Sequence, residues 1–440
     1  MSEMPSIIDG MCSSEKFNFF QRKGRVLKVI GSVVKAAGSF RIGEICLISR
    51  IDQSPILAEV IGFEGEIALF SPFGRTTGIS HNSTVQTFSS GMRINVGSGL
   101  AGRVVDGLGQ LIDGRERSMT NNQCDVSISA QNPLTRPPID KPFHVGLRVI
   151  DGILTCGEGQ RVGIFAAAGG GKSTLITSLI RHANYDHCVV GLIGERGREV
   201  RELLDHRSSL KHEYRDTFVV ATSDRPAIEQ VKAAFTATTI AEYHRDRGKR
   251  VLLIIDSLTR FARAQRQIGL SAGEPPTRRG YTTSVFELLP QLVERAGPSE
   301  LGSITAFYTV LVEGGDMDEP LADEVRSLLD GHIVLTRKLA EANHFPAVDV
   351  LGSSSRLFNS IVSEPHRKAA EKLKSLLSKY SEVELLLRLG EYVEGNNALA
   401  DEAVQRKSSI DAFLRQNTNE PQEFQLTVDQ LMKVVQLDGD

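Results

Sequence analysis

Hydrophobic positions in the first hundred residues follow a short-strand pattern. Runs of β-branched and apolar residues, separated by Gly, Pro, Asp or Gln about every 8 to 12 residues, recur at 25–30, 32–36, 44–48, 58–62 and 66–70. Such spacing is typical of a small antiparallel β-barrel. Residues 1–23 show no dominant period, and we predict a mobile arm there. The Gly- and Pro-rich stretch 96–143 predicts a linker with tight turns.

The middle of the chain alternates between two hydrophobic periods. Strand-like runs lie at 161–166, 188–193, 217–221, 251–255 and 304–312. Helical spacing falls between them, at 174–182, 198–205, 226–246 and 284–295. This alternation predicts a doubly wound α/β domain with a mainly parallel sheet. Beyond Glu364 the spacing is helical at 366–380 and 383–389, with a Gly-Asn-Asn break at 395–397.

Composition excludes several classes of protein. The chain has 440 residues, a formal net charge of -3 and 40% hydrophobic residues, which fit a globular protein of about three domains. So small a charge argues against nucleic acid or an anionic membrane as a bulk partner. Five cysteines without a Cys-x-x-Cys pair indicate neither a disulfide framework nor a zinc site. The chain also lacks an apolar run of bilayer length and a secretory signal, so we expect a cytoplasmic protein.

A glycine-rich segment lies between the predicted strand 161–166 and the predicted helix 174–182. It reads Ala168-Gly169-Gly170-Gly171-Lys172-Ser173-Thr174. Glycines let backbone N–H groups converge on phosphate oxygens, while Lys172 reaches the β- and γ-phosphates and the Ser173 hydroxyl ligates Mg²⁺. The usual phosphate-loop pattern has glycine where this chain has Ala166. The alternative is a glycine-rich turn with a solvated lysine, but the flanking elements favour a site for ATP.

Acidic residues follow two other predicted strands. Asp256 ends the apolar run 251–255, at the sheet edge where ligands bind, and is predicted to hold Mg²⁺ through water. Its alternative role is a helix N-cap. Glu195 follows the run 188–193 and is predicted to position or activate the attacking water, with Arg196 countering phosphate charge. The alternative for Glu195 and Arg196 is the charged first turn of a helix.

Longer motifs resemble the rotary ATP synthase α/β superfamily. Its signature is matched by Pro346-Ala347-Val348-Asp349, followed by Ser353, Ser355 and Arg356. The protein-export branch is resembled by Gly194-Glu195-Arg196-Gly197-Arg198-Glu199-Val200, Ala221-Thr222-Ser223-Asp224-Arg225-Pro226, Asp256-Ser257-Leu258-Thr259-Arg260 and Asp323-Glu324-Val325-Arg326-Ser327-Leu328-Leu329-Asp330-Gly331-His332. Residues 166–173 look more like the virulence-secretion version. By this resemblance, which covers residues 24–415, the chain is identified as a member of the type III secretion ATPase family, close to its flagellar export relatives.

The resemblance implies an architecture and an assembly. A RecA-like doubly wound P-loop ATPase core at 94–360 would lie between the β-barrel at 24–93 and a C-terminal helical domain at 361–440. The chain would form a homohexamer with nucleotide sites between subunits, in which Arg356 acts in trans as an arginine finger. Phe345 occupies the position of an aromatic residue that stacks on adenine. Phe413 either supplies the opposite face of the adenine site or is a core phenylalanine.

The same resemblance implies a function and partners. The ring would couple Mg²⁺-dependent ATP hydrolysis to type III protein secretion, releasing chaperones and unfolding cargo at the cytoplasmic face of the inner membrane. Implied partners are a central stalk protein, a stator or regulator, chaperone–effector complexes and the export gate, without nucleic acid. The segment 274–281 resembles a loop that faces the ring centre. Arg260 either relays phosphate state to the neighbouring subunit or pairs with an acid.

Other functions stay in competition with this one. A flagellar export ATPase has the same active-site motifs, so those motifs leave the choice of secretion machine open. A rotary synthase or vacuolar-type subunit is disfavoured, because one chain holds both Glu195 and Arg356 and the long vacuolar insertion is absent. A structural ring subunit that does not hydrolyse ATP is disfavoured by Glu195. An RNA helicase ring is disfavoured by the near-neutral charge.

Overall fold

The computed structural model describes residues 22–115, 122–208 and 216–435. The predicted arm at 1–23 therefore lies almost entirely outside the described residues. The chain divides into two compact units. One contains the described residues up to Arg93 together with Gln267–Glu274, and the other contains Ile94–Arg266 and Pro275–Asp440.

The first unit contains a closed antiparallel barrel. Its six strands are β1 (Lys23–Ile30), β2 (Val33–Ala37), β3 (Ile45–Arg50), β4 (Gln53–Glu64), β5 (Ile67–Pro72) and β6 (Thr84–Ser89), in the order β1-β2-β5-β4-β3-β6. The first five occupy the predicted runs. β6 escaped prediction because Val85 is its one fully buried side chain, which is too weak a period to recognise. It closes the barrel by pairing with both β1 and β3, so no strand edge is left open.

The second unit is built around a mainly parallel sheet. Its strands in chain order are β7 (Arg93–Val96), β8 (Val104–Asp106), β9 (Asn122–Asp125), β10 (Pro142–Phe143), β11 (Cys156–Gly157), β12 (Arg161–Ala166), β13 (His187–Ile193), β14 (Asp216–Ala221), β15 (Arg250–Asp256), β16 (Gly297–Pro298), β17 (Ser303–Leu311), β18 (Gly331–Leu335) and β19 (Val348–Ser355). Within the described residues, nine of them form one sheet with the order β19-β18-β12-β17-β15-β13-β14-β8, and β16 pairs with β17. β8 falls in the predicted linker, yet it extends the sheet beside β14.

Helices cover this sheet. They are α1 (Arg148–Ile153), α2 (Lys172–His182), α3 (Gly197–Ser208), α4 (Ala227–Arg245), α5 (Leu258–Ala272), α6 (Thr283–Val293), α7 (Pro320–Leu328), α8 (Arg337–Glu341), α9 (Phe358–Ile361), α10 (Glu364–Leu389), α11 (Ala398–Leu414) and α12 (Phe424–Val435). The two stretches of predicted helical spacing, 366–380 and 383–389, belong to one helix, since α10 continues until Gly390 adopts a left-handed φ of 73°. Such a conformation suits glycine and ends helices. The predicted Gly-Asn-Asn break is present, and the Asn397 side chain caps α11.

The hydrophobic core joins the sheet to the last three helices. Leu179 of α2, Leu373 of α10, Phe413 of α11 and Leu431 of α12 belong to the same buried cluster as the strand residues Ile164 and Ile254. The phosphate-loop helix is thus packed within the same unit as the C-terminal helices. Among the described residues, no helix is both long enough and apolar enough to cross a membrane.

Candidate active site

The glycine-rich segment forms a tight loop between β12 and α2. Gly169 and Gly171 have left-handed φ values of 81° and 86°, which side chains other than glycine rarely adopt. A Cβ atom at Gly171 would also lie 3.4 Å from the Phe345 ring. Ala166 is the last residue of β12 and pairs with Leu311 and Leu335. It has ordinary strand geometry, which explains why alanine serves where the usual motif has glycine.

Lys172 lies between two carboxylates at the carboxyl edge of the sheet. Its Nζ is 2.5 Å from Asp256 Oδ1 and 3.2 Å from Glu195 Oε1. The three side chains are only 13%, 9% and 7% exposed for Lys172, Asp256 and Glu195. Three residues that are far apart in sequence meet because β12, β13 and β15 are parallel and end at the same edge.

Burial and charge act against each other in this cluster. Burial by itself would lower the pKa of Lys172, but the charges of Asp256 and Glu195 outweigh it, and the pKa is raised above its ordinary value. Burial also raises the pKa of Glu195; Lys172 lowers it and Asp256 raises it further. Lys172 therefore remains a cation, while the ionised form of Glu195 is disfavoured. If a phosphate group bound the Lys172 ammonium instead, both carboxylates would become available to other ligands.

The surroundings fix the two carboxylates. The Thr309 hydroxyl on β17 donates to Asp256 Oδ1 at 2.7 Å. The Glu195 main-chain carbonyl accepts from the Ser223 N–H at 3.1 Å. Gly194 has a φ of 65°, and a Cβ there would lie 3.1 Å from the Cβ of Arg260. Arg260 therefore lies near the site, and its buried Nε has no hydrogen-bond partner among the described residues.

The donors fit Mg²⁺ bound together with nucleotide. Asp256 provides a carboxylate, and the exposed Ser173 on the first turn of α2 provides a hydroxyl. These are hard oxygen donors, and Mg²⁺ in such sites uses one or two carboxylates together with substrate phosphates. No group of three or more His, Cys, Asp or Glu side chains in the described ranges could hold a metal by itself. The phosphates would therefore have to complete the coordination.

Two predicted arginines lie away from this cluster. Arg196 has a 77% exposed side chain that lies 3.6 Å from Glu199. Arg356 is exposed and follows Ser355, which pairs with Gly331 at the start of β18. Because β18 runs parallel to β12, Arg356 lies at the amino edge of the sheet, about 13 Å along the strands from the phosphate-loop edge. The chain does not bring its own Arg356 to its own Lys172.

An open cleft lies beside the phosphate loop. It has a volume of about 460 Å³ and is lined by Thr174, Asn343, Phe345, Arg415, Gln416, Asn417 and Thr418. Phe345 is half-buried, and its carbonyl accepts from the Gln416 N–H at 2.9 Å. Phe413 is only 4% exposed and packs in the core against Gly152. Of the two roles considered for Phe413, its placement matches the core phenylalanine, and residues 415–418 face Phe345 instead.

Comparisons with known proteins cover all three parts of the chain. Family models match as "ATP synthase alpha/beta family, beta-barrel domain" at 26–87, as "ATP synthase alpha/beta family, nucleotide-binding domain" at 146–355 and as "T3SS EscN ATPase C-terminal domain" at 362–433. The type 3 secretion system ATPase of Xanthomonas euvesicatoria is 48% identical over 94% of both chains. The chain belongs to the type III secretion ATPase family. The predicted fold class and family are confirmed, and the chain is an ATPase.

Other relatives of this secretion ATPase extend the comparison. The flagellum-specific ATP synthase of Bacillus subtilis is 47% identical over 92% of this chain and 94% of its own length. The assembled ATPase EscN of enteropathogenic E. coli superimposes with a TM-score of 0.90 at 45% identity, over 94% of this chain and all of the other. EscN in complex with its central stalk EscO gives a TM-score of 0.86 with the same coverage.

Sequence reasoning missed several residues of the secretion ATPase site. Thr309 lies within a predicted strand, but its hydroxyl meets Asp256 only through strand pairing. Gln416 and Thr418 follow the last helical turn of α11 and reach the cleft through the packing of the C-terminal helices. Arg337, at the start of α8, lies 3.8 Å from where a Cβ of Gly169 would be. Of these residues, only Arg337 has a local signal, because it comes soon after a strand. That strand, β18, is not among the predicted ones.

Proposed function

We propose that this ATPase works as a homohexameric ring whose nucleotide sites lie between subunits and whose Mg²⁺-dependent ATP hydrolysis energises type III protein secretion. One observation carries the proposal: Lys172, Glu195 and Asp256 meet at one edge of the sheet, while Arg356 is exposed at the other. An arginine finger stabilises charge on the transferred phosphoryl group and is commonly supplied by a neighbouring chain. A ring would place the amino edge of one copy against the carboxyl edge of the next.

The residues of one chain have distinct roles in this proposal. The phosphate loop from Ala168 to Thr174 and the N-terminus of α2 bind the phosphates. Lys172 moves from the carboxylates to the β- and γ-phosphates. Ser173 and Asp256 hold Mg²⁺, which neutralises phosphate charge when bound. Glu195 orients and deprotonates the attacking water, for which a pKa raised by burial suits a general base.

The remaining predicted residues complete the nucleotide site. Phe345 stacks on the base, since its ring lines the cleft beside Thr174. Arg196 is free enough to turn toward phosphate because its contact with Glu199 is long and exposed. Arg356 of one copy reaches the γ-phosphate held by the next copy. Hydrolysis in this arrangement requires two chains for each active site.

Partners follow from the family and from the surface. We infer a central stalk protein, because EscN is known in complex with its central stalk EscO. A stator or regulator, chaperone–effector complexes and the export gate are further proposed partners, which would place the ring at the cytoplasmic face of the inner membrane. The end of α10 supports a protein contact, since Leu385 and Leu389 are 65% and 62% exposed there. Chaperone release and cargo unfolding would take place on this helical domain.

Mixing two inactive variants tests the shared site. We expect ATP turnover per chain to rise with protein concentration, and both Glu195→Gln and Arg356→Ala to be inactive alone. Mixed rings contain interfaces with intact Glu195 from one chain and intact Arg356 from the other, so mixing restores part of the activity. Each variant mixed with excess wild-type chain serves as the control for assembly. Absence of any recovery, in rings that form normally by size-exclusion chromatography, would show that the two residues do not share a site across subunits.

Flagellar export is the second candidate function. The chain is 47% identical to a flagellum-specific ATP synthase and 48% and 49% identical to two type 3 secretion system ATPases. These identities differ by no more than two percentage points. Expression of the chain in a strain that lacks its flagellar export ATPase separates the two candidates. Restored swimming would favour the flagellar machine, while restored effector secretion in a strain lacking the virulence ATPase would favour the proposed one.

A further inference from the structure

Thr309 connects two strands that carry catalytic residues. It lies on β17, which pairs with β12 on one side and with β15 on the other. β12 leads to the phosphate loop, and β15 ends in Asp256. Thr309 is fully buried, and its hydroxyl donates to Asp256 Oδ1 at 2.7 Å. A side chain in this position can fix the carboxylate relative to the loop that holds the phosphates.

Among the described residues, the two side chains that donate hydrogen bonds to Asp256 do so to the same oxygen. Lys172 Nζ and the Thr309 hydroxyl both contact Oδ1, at 2.5 Å and 2.7 Å. A charge-assisted hydrogen bond from Lys172, which is a strong one, and a second bond from Thr309 together restrain the carboxylate through this oxygen. The other oxygen, Oδ2, takes part in neither bond and is available to the water shell of a cation. The donors therefore decide which oxygen faces the metal.

The two donors differ in mobility. Lys172 has a long side chain and, in the proposed function, leaves the carboxylate for the nucleotide phosphates. Thr309 is a β-branched residue in the interior of a strand, where the rotation of its side chain about χ1 is restricted. Its hydrogen bond can persist when the lysine moves. Without it, a buried carboxylate would lose its fixed orientation at the moment when the metal must be held.

We propose that Thr309 is a positioning residue that holds Asp256 for the Mg²⁺ of the Mg²⁺–ATP complex. This inference rests on the proposed role of Asp256 in holding the metal. Groups that hydrogen-bond to a metal-ligating carboxylate typically change metal affinity or activity about 10- to 100-fold when they are removed. A valine at this position keeps the shape and burial of threonine but has no donor.

The same strand offers a matched control. Thr305 is also on β17 and also fully buried. Its hydroxyl accepts a hydrogen bond from the Gly159 N–H at 2.9 Å, at the amino end of the strand. Thr305→Val therefore removes the hydroxyl of an equally buried threonine on the same strand, but this hydroxyl makes no hydrogen bond to Asp256. A purely structural role for such hydroxyls predicts similar effects at the two positions.

The test measures metal binding directly. Mn²⁺ binding to the full-length protein with ATPγS is followed by electron paramagnetic resonance, alongside thermal unfolding. We expect Thr309→Val to weaken Mn²⁺ binding about 10- to 100-fold, Thr309→Ser to restore it to within a few-fold, and Thr305→Val to leave it unchanged. If Thr309→Val does not fold, Thr309→Ala provides the second variant without a donor. Equal Mn²⁺ affinity in wild type and the donor-free variant would overturn the proposal.

One further variant separates this inference from the function on which it rests. Asp256→Asn should weaken Mn²⁺ binding at least as strongly as Thr309→Val. If Asp256→Asn binds Mn²⁺ normally, the metal role of Asp256 is wrong and the role of Thr309 fails with it. If Asp256→Asn is impaired while Thr309→Val is not, the metal site stands and only the positioning role of Thr309 is wrong.

Discussion

The two edges of the central sheet hold charged residues in opposite ways. At the carboxyl edge, Lys172 is enclosed with Glu195 and Asp256; burial raises the pKa of Glu195, while the two carboxylates raise the pKa of Lys172 against the effect of burial. At the amino edge, Arg356 is exposed, and its guanidinium contacts the main-chain carbonyl of Arg326 at 3.3 Å. The first arrangement is a cation whose partners are ready to be exchanged for a ligand. The second is an exposed cation, which the proposed ring would present to a neighbouring chain.

In the proposed ring, this difference would give each chain a site that its neighbour completes. Parallel strands bring phosphate-binding and acidic residues together automatically, because all their carboxyl ends meet at one edge. β19 runs antiparallel to β18, so it carries the chain away from that edge and leaves Arg356 at the other. The sheet topology therefore separates Arg356 from Lys172, Glu195 and Asp256 by about the length of a strand.

Arg356→Ala should give the largest effect, because it removes the cation supplied from the amino edge. We expect kcat to fall about 10³- to 10⁵-fold, while binding of a fluorescent ATP analogue to dilute, unassembled chains changes less than about threefold. The reason is that Arg356 does not contact its own nucleotide site. Arg388→Ala, at a 66% exposed arginine on α10, is the control. A large loss of affinity in dilute Arg356→Ala chains would contradict the separation of the two edges.

Glu195→Gln should give the next largest effect on rate. Loss of the general base lowers kcat about 10²- to 10⁴-fold. Stability should move in the other direction: burial raises the pKa of Glu195, so its ionised form is unfavourable in the folded state at neutral pH and a neutral amide removes that cost. We expect a melting temperature at pH 7.5 equal to or above that of wild type. The advantage should shrink as the pH falls toward the ordinary pKa of glutamate, where wild-type Glu195 becomes protonated.

The control for this second prediction is a neighbouring glutamate. Glu199 lies in the first turn of α3, shortly after Glu195, and its side chain is 42% exposed. The control substitution is Glu199→Gln. It should change neither kcat nor the melting temperature by a measurable amount. A Glu195→Gln protein that melts well below wild type would show that the ion pair with Lys172 outweighs the cost of burying the carboxylate.

Phe345 and Phe413 should separate nucleotide binding from folding. Removing a stacked aromatic by alanine substitution costs about 1–3 kcal/mol of base stacking, so Phe345→Ala should raise the KM for ATP about tenfold or more with a much smaller change in kcat. Phe345→Tyr keeps the ring face and should stay near wild type. Phe413→Leu should leave KM unchanged and lower the unfolding free energy by about 1 kcal/mol, because Phe413 is a core residue. Steady-state kinetics and urea unfolding measure the two quantities.

Sequence alone predicted the parts of the fold and the site that depend on local pattern. The strand 161–166 is recovered to the residue, because a buried run, glycines and a helix start are adjacent in sequence. The helix after the loop begins at Lys172, two residues before the predicted start. β6, β8 and α5 escaped because their burial comes from neighbours that are distant in sequence. Thr309 escaped for the same reason: its partner Asp256 is 53 residues away and becomes visible only through strand register. The sequence does not decide between two roles for Phe413, because helical spacing does not distinguish a core residue from one that contacts a ligand.

The smallest predicted effect concerns a buried histidine pair near the amino edge. His187, the first residue of β13, stacks on His244 of α4 with ring centroids 3.7 Å apart. The pKa of His187 is lowered to about 2 and that of His244 to about 4; burial is the largest cause for both rings, and the charge of Lys249 contributes to both. The folded protein keeps both rings neutral, while the unfolded chain binds protons below about pH 6.5. Stability should therefore fall as the pH drops from about 6.5 toward 4, by up to about 1.4 kcal/mol per pH unit for each ring.

Urea unfolding of wild type and His244→Gln at pH 7.5, 6.5 and 5.5 measures this loss of stability, with His81→Gln, at an exposed histidine, as the control. His244→Gln should lose less stability on acidification than wild type, and equal losses would show that the pair does not govern the acid sensitivity of this edge.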